Sequence, residues 1–250
     1  MRKSKYLILS EFYFDFNDDL TEITNVKELF ENQNILDLFR FKKMKFIKKN
    51  QFLECKNINF VYLPININKI YEQAFHTNQI EILDLSKCLK LKWIDRSCFE
   101  NNQIKRLKLP ENIEIIDEFA FYSNQIKILD LSNCIKLKNI EQGAFEENQI
   151  KQLKLPENIE IINSFSFYEN QIEILDLSKY LNLKNIEMNA FSNNPFKKIK
   201  ILDNINIKYN GKNINEDDLW NKFILYYYYK NNRKAGDYKY KNGNWQWYPL

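Results

Sequence analysis

Nucleophilic, acid–base and metal-binding chemistry would have few side chains to use in this sequence. His76 is the only histidine among 250 residues, and it lies in a turn-like segment between Phe75 and Asn78. A Ser-His-Asp arrangement or a histidine-based metal site would depend on His76 alone, with no supporting motif. Four glycines in the whole chain leave no glycine-rich loop for a phosphate. The sequence therefore predicts no catalytic residue, no metal site and no cofactor, and so a protein that is not an enzyme.

The residues that do recur at fixed intervals are asparagine, isoleucine, leucine and phenylalanine. The tripeptide Asn-Gln-Ile begins at Asn78 and returns in steps of 24, 22, 24 and 22 residues, and a degenerate Asn-Pro-Phe begins at Asn194. Two unit types alternate, one with Ile-Leu-Asp-Leu-Ser and one with Leu-Pro-Glu-Asn-Ile, so the full period is 46 residues. One phenylalanine per unit keeps the same interval, at Phe75, Phe99, Phe121, Phe145, Phe167 and Phe191.

A unit of 22–24 residues with Leu-x-Leu at its centre indicates a solenoid with one short strand per coil. Such a unit cannot bury its apolar side alone, so neighbouring coils stack and share one elongated core. We expect the phenylalanines to form a continuous buried stack. We also expect the asparagine column, in which Cys55 takes one place, to bond to backbone groups of adjacent coils. The reason is that an unpaired buried amide costs about 1–3 kcal/mol.

The run Ile-x-x-x-Ala-Phe-x-x-Asn-Gln-Ile-x-x-Leu-x-Leu-Pro resembles the Treponema pallidum type of leucine-rich repeat, the BspA-like family. The likeness covers residues 55–205 strongly and residues 20–54 weakly. The resemblance implies a leucine-rich-repeat solenoid with short parallel strands and an irregular or 3-10 convex side. It also implies a bacterial or protozoan protein of an adhesive, host-interacting kind that is often displayed at a cell surface.

We predict three parts along the chain: residues 1–54 as degenerate repeats and a cap, residues 55–205 as the solenoid, and residues 206–250 as a C-terminal cap. The basic start of the chain is followed by only four apolar residues, too few for the core of a signal peptide. No apolar run reaches the length of a transmembrane helix. The sequence itself thus predicts a cytoplasmic protein, and the resemblance implies the cell surface or secretion as the alternative.

The four cysteines are predicted to be free. Cys88 and Cys134 stand at equivalent positions 46 residues apart, and Tyr180 takes the same position in the next copy. A strand spacing of about 4.8 Å per coil puts the two cysteines ~10 Å apart. That exceeds the limit of about 7 Å between the Cα atoms of a disulfide. Packed free thiols suit a reducing compartment.

The charge of the repeats is balanced. The chain has 37 basic and 33 acidic residues, and residues 205–250 hold eight and four of them, so the surplus of +4 lies in the tail. The repeat body therefore shows no basic excess of the kind that marks nucleic-acid binding.

Two columns of strand residues should face solvent, because side chains alternate across a strand. One column reads Tyr62, Asp84, Lys108, Asp130, Lys154, Asp176 and Lys200, and it is either a self-satisfying ion-pair ladder or a polar recognition strip. The other reads Phe60, Ile82, Arg106, Ile128, Gln152, Ile174 and Lys198. In it the stems of Arg106 and Gln152 either cover the isoleucines or leave an apolar surface that binds a protein. The candidate partner-binding residues are Phe60, Tyr62, Ile82, Arg106, Ile128 and Ile174.

The last 45 residues carry different signals. Asn215 followed by three acids starts a helix. Its apolar face, Leu219, Phe223, Tyr226 and Tyr227, would cover the open end of the solenoid. Asn-Gly between alternating aromatics predicts a β-hairpin. The aromatics either pack within this cap or form an alternative tail site for a glycan or nucleic acid. The residues of that tail site are Tyr238, Tyr240, Trp245 and Trp247.

The leading interpretation is a non-catalytic scaffold that binds an unidentified protein partner as a monomer, with adhesion implied by the resemblance. The alternative is a module that binds a glycan or nucleic acid through its basic, aromatic tail.

Overall fold

The computed structural model describes residues 34–39, 41–208 and 218–250. The weakest predicted repeats, before residue 34, and the helix start predicted at Asn215 lie outside these residues. The described part of the chain up to residue 208 forms a solenoid of stacked coils, which confirms the predicted fold. Its core is one continuous cluster of apolar side chains.

Two rows of short parallel strands run along the solenoid. The front row holds the Leu-x-Leu segment of each coil: Ile35–Asp37 (β1), Phe60–Tyr62 (β3), Ile82–Asp84 (β5), Arg106–Lys108 (β7), Ile128–Asp130 (β9), Gln152–Lys154 (β11), Ile174–Asp176 (β13) and Lys198–Ile201 (β15). The back row has two residues per strand: Phe46–Ile47 (β2), Lys69–Ile70 (β4), Trp93–Ile94 (β6), Ile115–Ile116 (β8), Asn139–Ile140 (β10), Ile161–Ile162 (β12), Asn185–Ile186 (β14) and Asn206–Ile207 (β16).

The back row corrects one prediction. The repeat was expected to carry one strand per coil with an irregular or 3-10 convex side, yet each coil adds a second strand there. The backbone N–H of Glu114 donates to the carbonyl of Lys92 at 2.8 Å, and that of Asp117 donates to Ile94 at 2.9 Å. Isoleucine occupies the buried place in every back strand, and its β-branched side chain favours the extended backbone.

The phenylalanine column forms the predicted stack. Consecutive rings from Phe52 to Phe191 lie nearly parallel, with centroids 5.1–5.8 Å apart. All seven rings are buried. Full burial of such a side chain is worth about 1.5–3 kcal/mol, so this stack is a main source of the stability that each added coil contributes.

The asparagine column bonds to neighbouring coils as predicted. The side-chain oxygen of Asn124 accepts from the backbone N–H of Ile104 at 3.0 Å, and its Nδ2 donates to the carbonyl of Phe99 at 2.9 Å. The same pair of bonds recurs at Asn102, Asn148, Asn170 and Asn194. Each amide therefore satisfies polar groups that would otherwise be buried without a partner.

The C-terminal residues close the solenoid in two ways. The helix α1, Leu219–Leu225, is capped by Asp218, whose carboxylate accepts from the N–H of Asn221 at 2.9 Å, and a π-helical turn follows at Tyr226–Lys230. The hairpin strands β17 (Gly236–Lys241) and β18 (Asn244–Tyr248) turn at Asn242-Gly243, as predicted. Strand β17 pairs antiparallel with β15, so the hairpin covers the free edge of the front row. The helix covers the open end of the last coil, as predicted, but it meets the end of the core through Trp220, which was not among the residues of the predicted apolar face.

Candidate partner-binding face

The front face presents the predicted solvent column. Phe60, Ile82 and Arg106 lie side by side on β3, β5 and β7, because these strands pair in that register. Ile82, Ile128 and Ile174 are 40%, 58% and 63% exposed. The stem of a neighbouring long side chain therefore does not cover the isoleucines. Tyr62 is also exposed, whereas Phe60 is half-buried.

The ion-pair column beside it is interrupted. Lys154 bonds to Asp130 at 2.9 Å, and Lys108 lies 3.6 Å from Asp84. The hydrogen bond from Lys154, helped by Ser132, lowers the pKa of Asp130 to about 2. Within the described residues, no ion pair joins Lys108 to Asp130. These exposed pairs fix the register inside a 46-residue unit, and each contributes at most about 1 kcal/mol.

The interruption coincides with breaks in the front row. Strands β7 and β9 do not pair, nor do β11 and β13, so the row divides at the ends of the Leu-Pro units. At these junctions the inward leucines Leu107 and Leu153 are only half-buried, whereas Leu83 and Leu129 are buried. At these two junctions the column of inward leucines is therefore partly exposed, in the same row of strands as the exposed isoleucines.

Tyr180 shows what the residue at this repeat position does. Its hydroxyl accepts from the backbone N–H of Leu155 at 2.9 Å, a group beyond the end of β11. Cys134 takes the same place one unit earlier, and its thiol donates to the carbonyl of Pro110 at 3.7 Å. The residue at this position therefore forms a hydrogen bond to a backbone group at the junction between units. The sequence did not reveal this role, because Cys and Tyr exchange at the position.

A second exposed apolar row was not predicted. Leu89, Ile135 and Leu181 are all more than half exposed and stand 46 residues apart, in the turn that follows β5, β9 and β13. The sequence did contain a signal for this row, because a large apolar residue follows the Cys or Tyr position directly in each 46-residue unit. The carbonyls of Leu89 and Ile135 accept from Asn112 and Asn158 at 3.1 Å, so the turn is held in place.

The alternative tail site divides into buried and accessible members. Tyr238 and Trp245 lie in the core of the cap against Phe223. Tyr240 and Trp247 are half-buried. A groove of about 340 Å³ between the helix and the hairpin includes Tyr240 and the edge of the buried Trp245 in its lining. Within residues 218–250, the buried rings of Trp220, Tyr227, Tyr238 and Trp245 pack around Phe223.

Other reactive groups belong to the packing. Cys55, Cys88, Cys98 and Cys134 are free and buried, as predicted. Burial raises the pKa of Cys88 to about 11 and that of Cys134 to about 12, so both thiols stay protonated and unreactive near neutral pH. Among the described residues, no group of three or more His, Cys, Asp or Glu could hold a metal. None of the helices in these ranges is long and apolar enough to span a membrane.

Two solved structures are similar to this chain. The functional domain of InlJ from Listeria monocytogenes shares 16% sequence identity over 68% of this chain, with a TM-score of 0.47. A leucine-rich-repeat protein from Bacteroides ovatus shares 15% identity over 66% of this chain, with a TM-score of 0.36. This chain spans 34% of the first and 55% of the second. No curated protein matches the sequence.

The family comparison covers far more of the chain. A model of the BspA type leucine-rich repeat region in six copies matches residues 21–139 and 127–229. Together these ranges include every stacked phenylalanine from Phe52 to Phe191 and every bridging asparagine from Asn102 to Asn194. By this match, and by the repeated columns that the structure stacks, the chain belongs to the BspA-type leucine-rich-repeat family.

Proposed function

We propose that this protein is a non-catalytic scaffold that captures a protein partner on its front face. The observation that supports this most is the exposed row of Ile82, Ile128 and Ile174, in the same row of strands as the half-buried Leu107 and Leu153. Exposed apolar residues gathered on one face are a feature of surfaces that contact another protein. Arg106 lies between Ile82 and Ile128 and supplies a side chain that is enriched at energetically important contacts.

The family supports the non-catalytic part of this proposal, because leucine-rich repeats of this kind are typically binding scaffolds. Adhesion to a protein of a host or of another cell is the role that the family resemblance favours. Such a role requires display outside the cell, whereas the four buried free cysteines suit a reducing compartment. Protease digestion of intact cells would decide between the two: loss of the protein would support display, and full protection would contradict it.

The capture test uses the paired variant Arg106→Glu with Ile128→Asp. A photo-crosslinking residue at Ile174 first identifies the partner, and the purified partner is then titrated by calorimetry. We expect the paired variant to lose partner binding by about 100-fold or more, since hot-spot side chains cost at least about 2 kcal/mol each when removed. Circular dichroism should remain that of the wild type.

A matched control makes the same two chemical changes away from the front row. Arg96→Glu with Ile115→Asp replaces an arginine in the turn after β6, where it lies 3.4 Å from Glu118, and a half-exposed isoleucine of β8. This control should bind the partner normally. Equal loss in both paired variants, or undiminished binding by a folded Arg106→Glu, Ile128→Asp chain, would contradict the proposal.

A further inference from the structure

A groove of about 720 Å³ lies across the turns of the first described coils, away from the front strands. It is lined by Lys42, Lys45, Lys90, Phe46, Asn66 and Asn68, with Lys43 as a fourth lysine. Its volume is within the range of ligand sites. Among the described residues, four ammonium groups and no carboxylate line it.

Three of the four lysines of this groove are not paired with acids in the way that lysines are elsewhere in the repeat. Lys42, Lys45 and Lys90 form no salt bridge with any described residue. By contrast, Lys92 and Lys138 occupy the place of Lys45 in the next two units, and each is paired. Lys92 lies 2.9 Å from Glu114, and Lys138 lies 2.8 Å from Glu160.

One substitution within the repeat explains this difference. Asn68 stands where the later Leu-Pro units carry Glu114 and Glu160, the acids that pair with Lys92 and Lys138. Nearby, Ile65, which is 46% exposed, stands where the later units carry Glu111 and Glu157, so this unit has two fewer acids than its later copies.

The polar and aromatic groups of the groove are held in place. The Nδ2 of Asn66 donates to the carbonyl of Lys42 at 2.7 Å. This bond fixes the amide and leaves its oxygen as an acceptor. The ring of Phe46 is partly exposed and rests edge-on against Tyr71, with centroids 5.9 Å apart. One fixed aromatic ring and two amides thus lie among the ammonium groups.

We propose that this groove binds a sulfated polysaccharide, independently of the protein partner of the front face. Lysine is a compact point charge that suits separate sulfate groups, while amides and an aromatic ring suit the hydroxyls and carbon faces of a sugar. Single-stranded nucleic acid fits less well. Proteins that bind it stack successive bases on several rings, and the described lining has one ring.

The test is a calorimetric titration of the whole chain with a size-defined heparin oligosaccharide at physiological ionic strength. The informative variant is Ile65→Glu with Asn68→Glu, which restores the two acids that the later units carry at these positions. We expect it to fold normally and to lose affinity about 5- to 20-fold, since each exposed charge pair is worth up to about fivefold. Phe46→Asn, the residue found at Asn139 and Asn185, should weaken binding by a smaller factor.

The matched control is Lys136→Glu, at the position of Lys90 one unit later, and it should leave the affinity unchanged. The comparison ligands are the same oligosaccharide after desulfation and N-acetylation, poly-U RNA and phosphatidylserine vesicles, all of which should bind more weakly. An equal loss from Lys136→Glu would overturn the proposal, because binding would then follow total charge. Equal or tighter binding of the desulfated sugar, the RNA or the vesicles would overturn it as well.

Discussion

At the scale of single residues, the asparagine column does more than fill a place in the core. Each amide links two coils by accepting from one backbone N–H and donating to one carbonyl of the preceding coil. The exception is Asn78, whose side-chain oxygen has no partner among the described residues. The N–H of Ile58, at the equivalent place in the preceding coil, instead donates to the carbonyl of Cys55 at 3.0 Å. Where the earlier coil carries cysteine, the chain of amide bonds therefore ends.

Asn124→Ala should strongly destabilise the protein. It leaves the buried N–H of Ile104 without a partner, whereas the carbonyl of Phe99 still accepts from the Nδ2 of Asn102 at 3.2 Å. We expect a loss of about 1–3 kcal/mol in the free energy of unfolding, the cost of one unsatisfied buried group. Urea denaturation measures it. Asn112→Ala, which removes an exposed bond to the carbonyl of Leu89, should cost about 0.5 kcal/mol or less. Similar losses at both sites would contradict this account of the column.

Glu146 should make stability depend on pH. Burial, followed by repulsion from Glu147 and Glu169, raises the pKa of Glu146 from 4.5 to about 7. The folded state then holds the proton more tightly than the unfolded state does. This contribution is fully present below pH 4.5 and is lost as the pH rises through about 7.

The Glu146→Gln variant tests this dependence. Its melting temperature relative to the wild type should be higher at pH 8 than at pH 5, because glutamine does not ionise and all other groups are shared. The exposed Glu157→Gln should show the same difference from the wild type at both pH values. A difference for Glu146→Gln that does not change with pH would show that the carboxyl group does not titrate in this range.

At the scale of elements, the phenylalanine stack needs an end. Trp220 supplies it, with its ring centroid 5.1 Å from Phe191 and 5.3 Å from Phe223, and its side chain is fully buried. The hairpin meanwhile pairs with β15 over four residues. The helix thus closes the end of the core and the hairpin closes the edge of the sheet, which explains why the cap contains both elements.

Trp220→Ala should therefore loosen the last coil before the others. We expect a loss of about 3–5 kcal/mol in unfolding free energy, as for other buried Trp-to-Ala changes. Hydrogen exchange should accelerate in Lys198–Ile201 and remain slow in Ile82–Asp84, because contacts in a solenoid are local. Trp93→Ala, at a partly exposed ring of the back row, should have a much smaller effect. Uniform acceleration along the chain would speak against local capping by Trp220.

The sequence was sufficient for features that repeat and insufficient for features that depend on a single contact. The coils, the Phe and Asn columns and the hairpin followed from spacing and residue type, because each signal recurs or is strong locally. The breaks beside β7 and β11 were not predicted, because they depend on the hydrogen bonds around one Leu-Pro step. Trp220 was not predicted, because rotating the helix by a single residue changes which side chain, Leu219 or Trp220, faces the core. For the candidate site, the alternation of side chains along each strand predicted which residues point outward. The degree to which Ile128 is exposed could not be predicted, because it depends on the packing between β7 and β9.

At the scale of the whole molecule, the alternation of two unit types determines which neighbouring coils pair their front strands. Each Ile-Leu-Asp strand pairs fully with the Leu-Pro strand that follows it, so Asp84 faces Lys108 and Asp130 faces Lys154. The structural unit is therefore the 46-residue pair of coils. Between consecutive pairs, the later junctions of the front row lack strand pairing.

Two internal deletions test this unit through opposite responses to salt. Deleting residues 102–147, which are 46 residues, places Lys154 opposite Asp84, whereas deleting residues 102–123, which are 22, places Asp130 there. Opposite charges on facing strands stabilise and like charges destabilise, by about 0.2–1 kcal/mol. Raising NaCl to about 0.5 M screens both interactions. Added salt should therefore lower the unfolding free energy of the 46-residue deletion relative to that of the 22-residue deletion, as measured by urea denaturation. Identical salt responses would mean that single coils, and not pairs, are the interchangeable units of this solenoid.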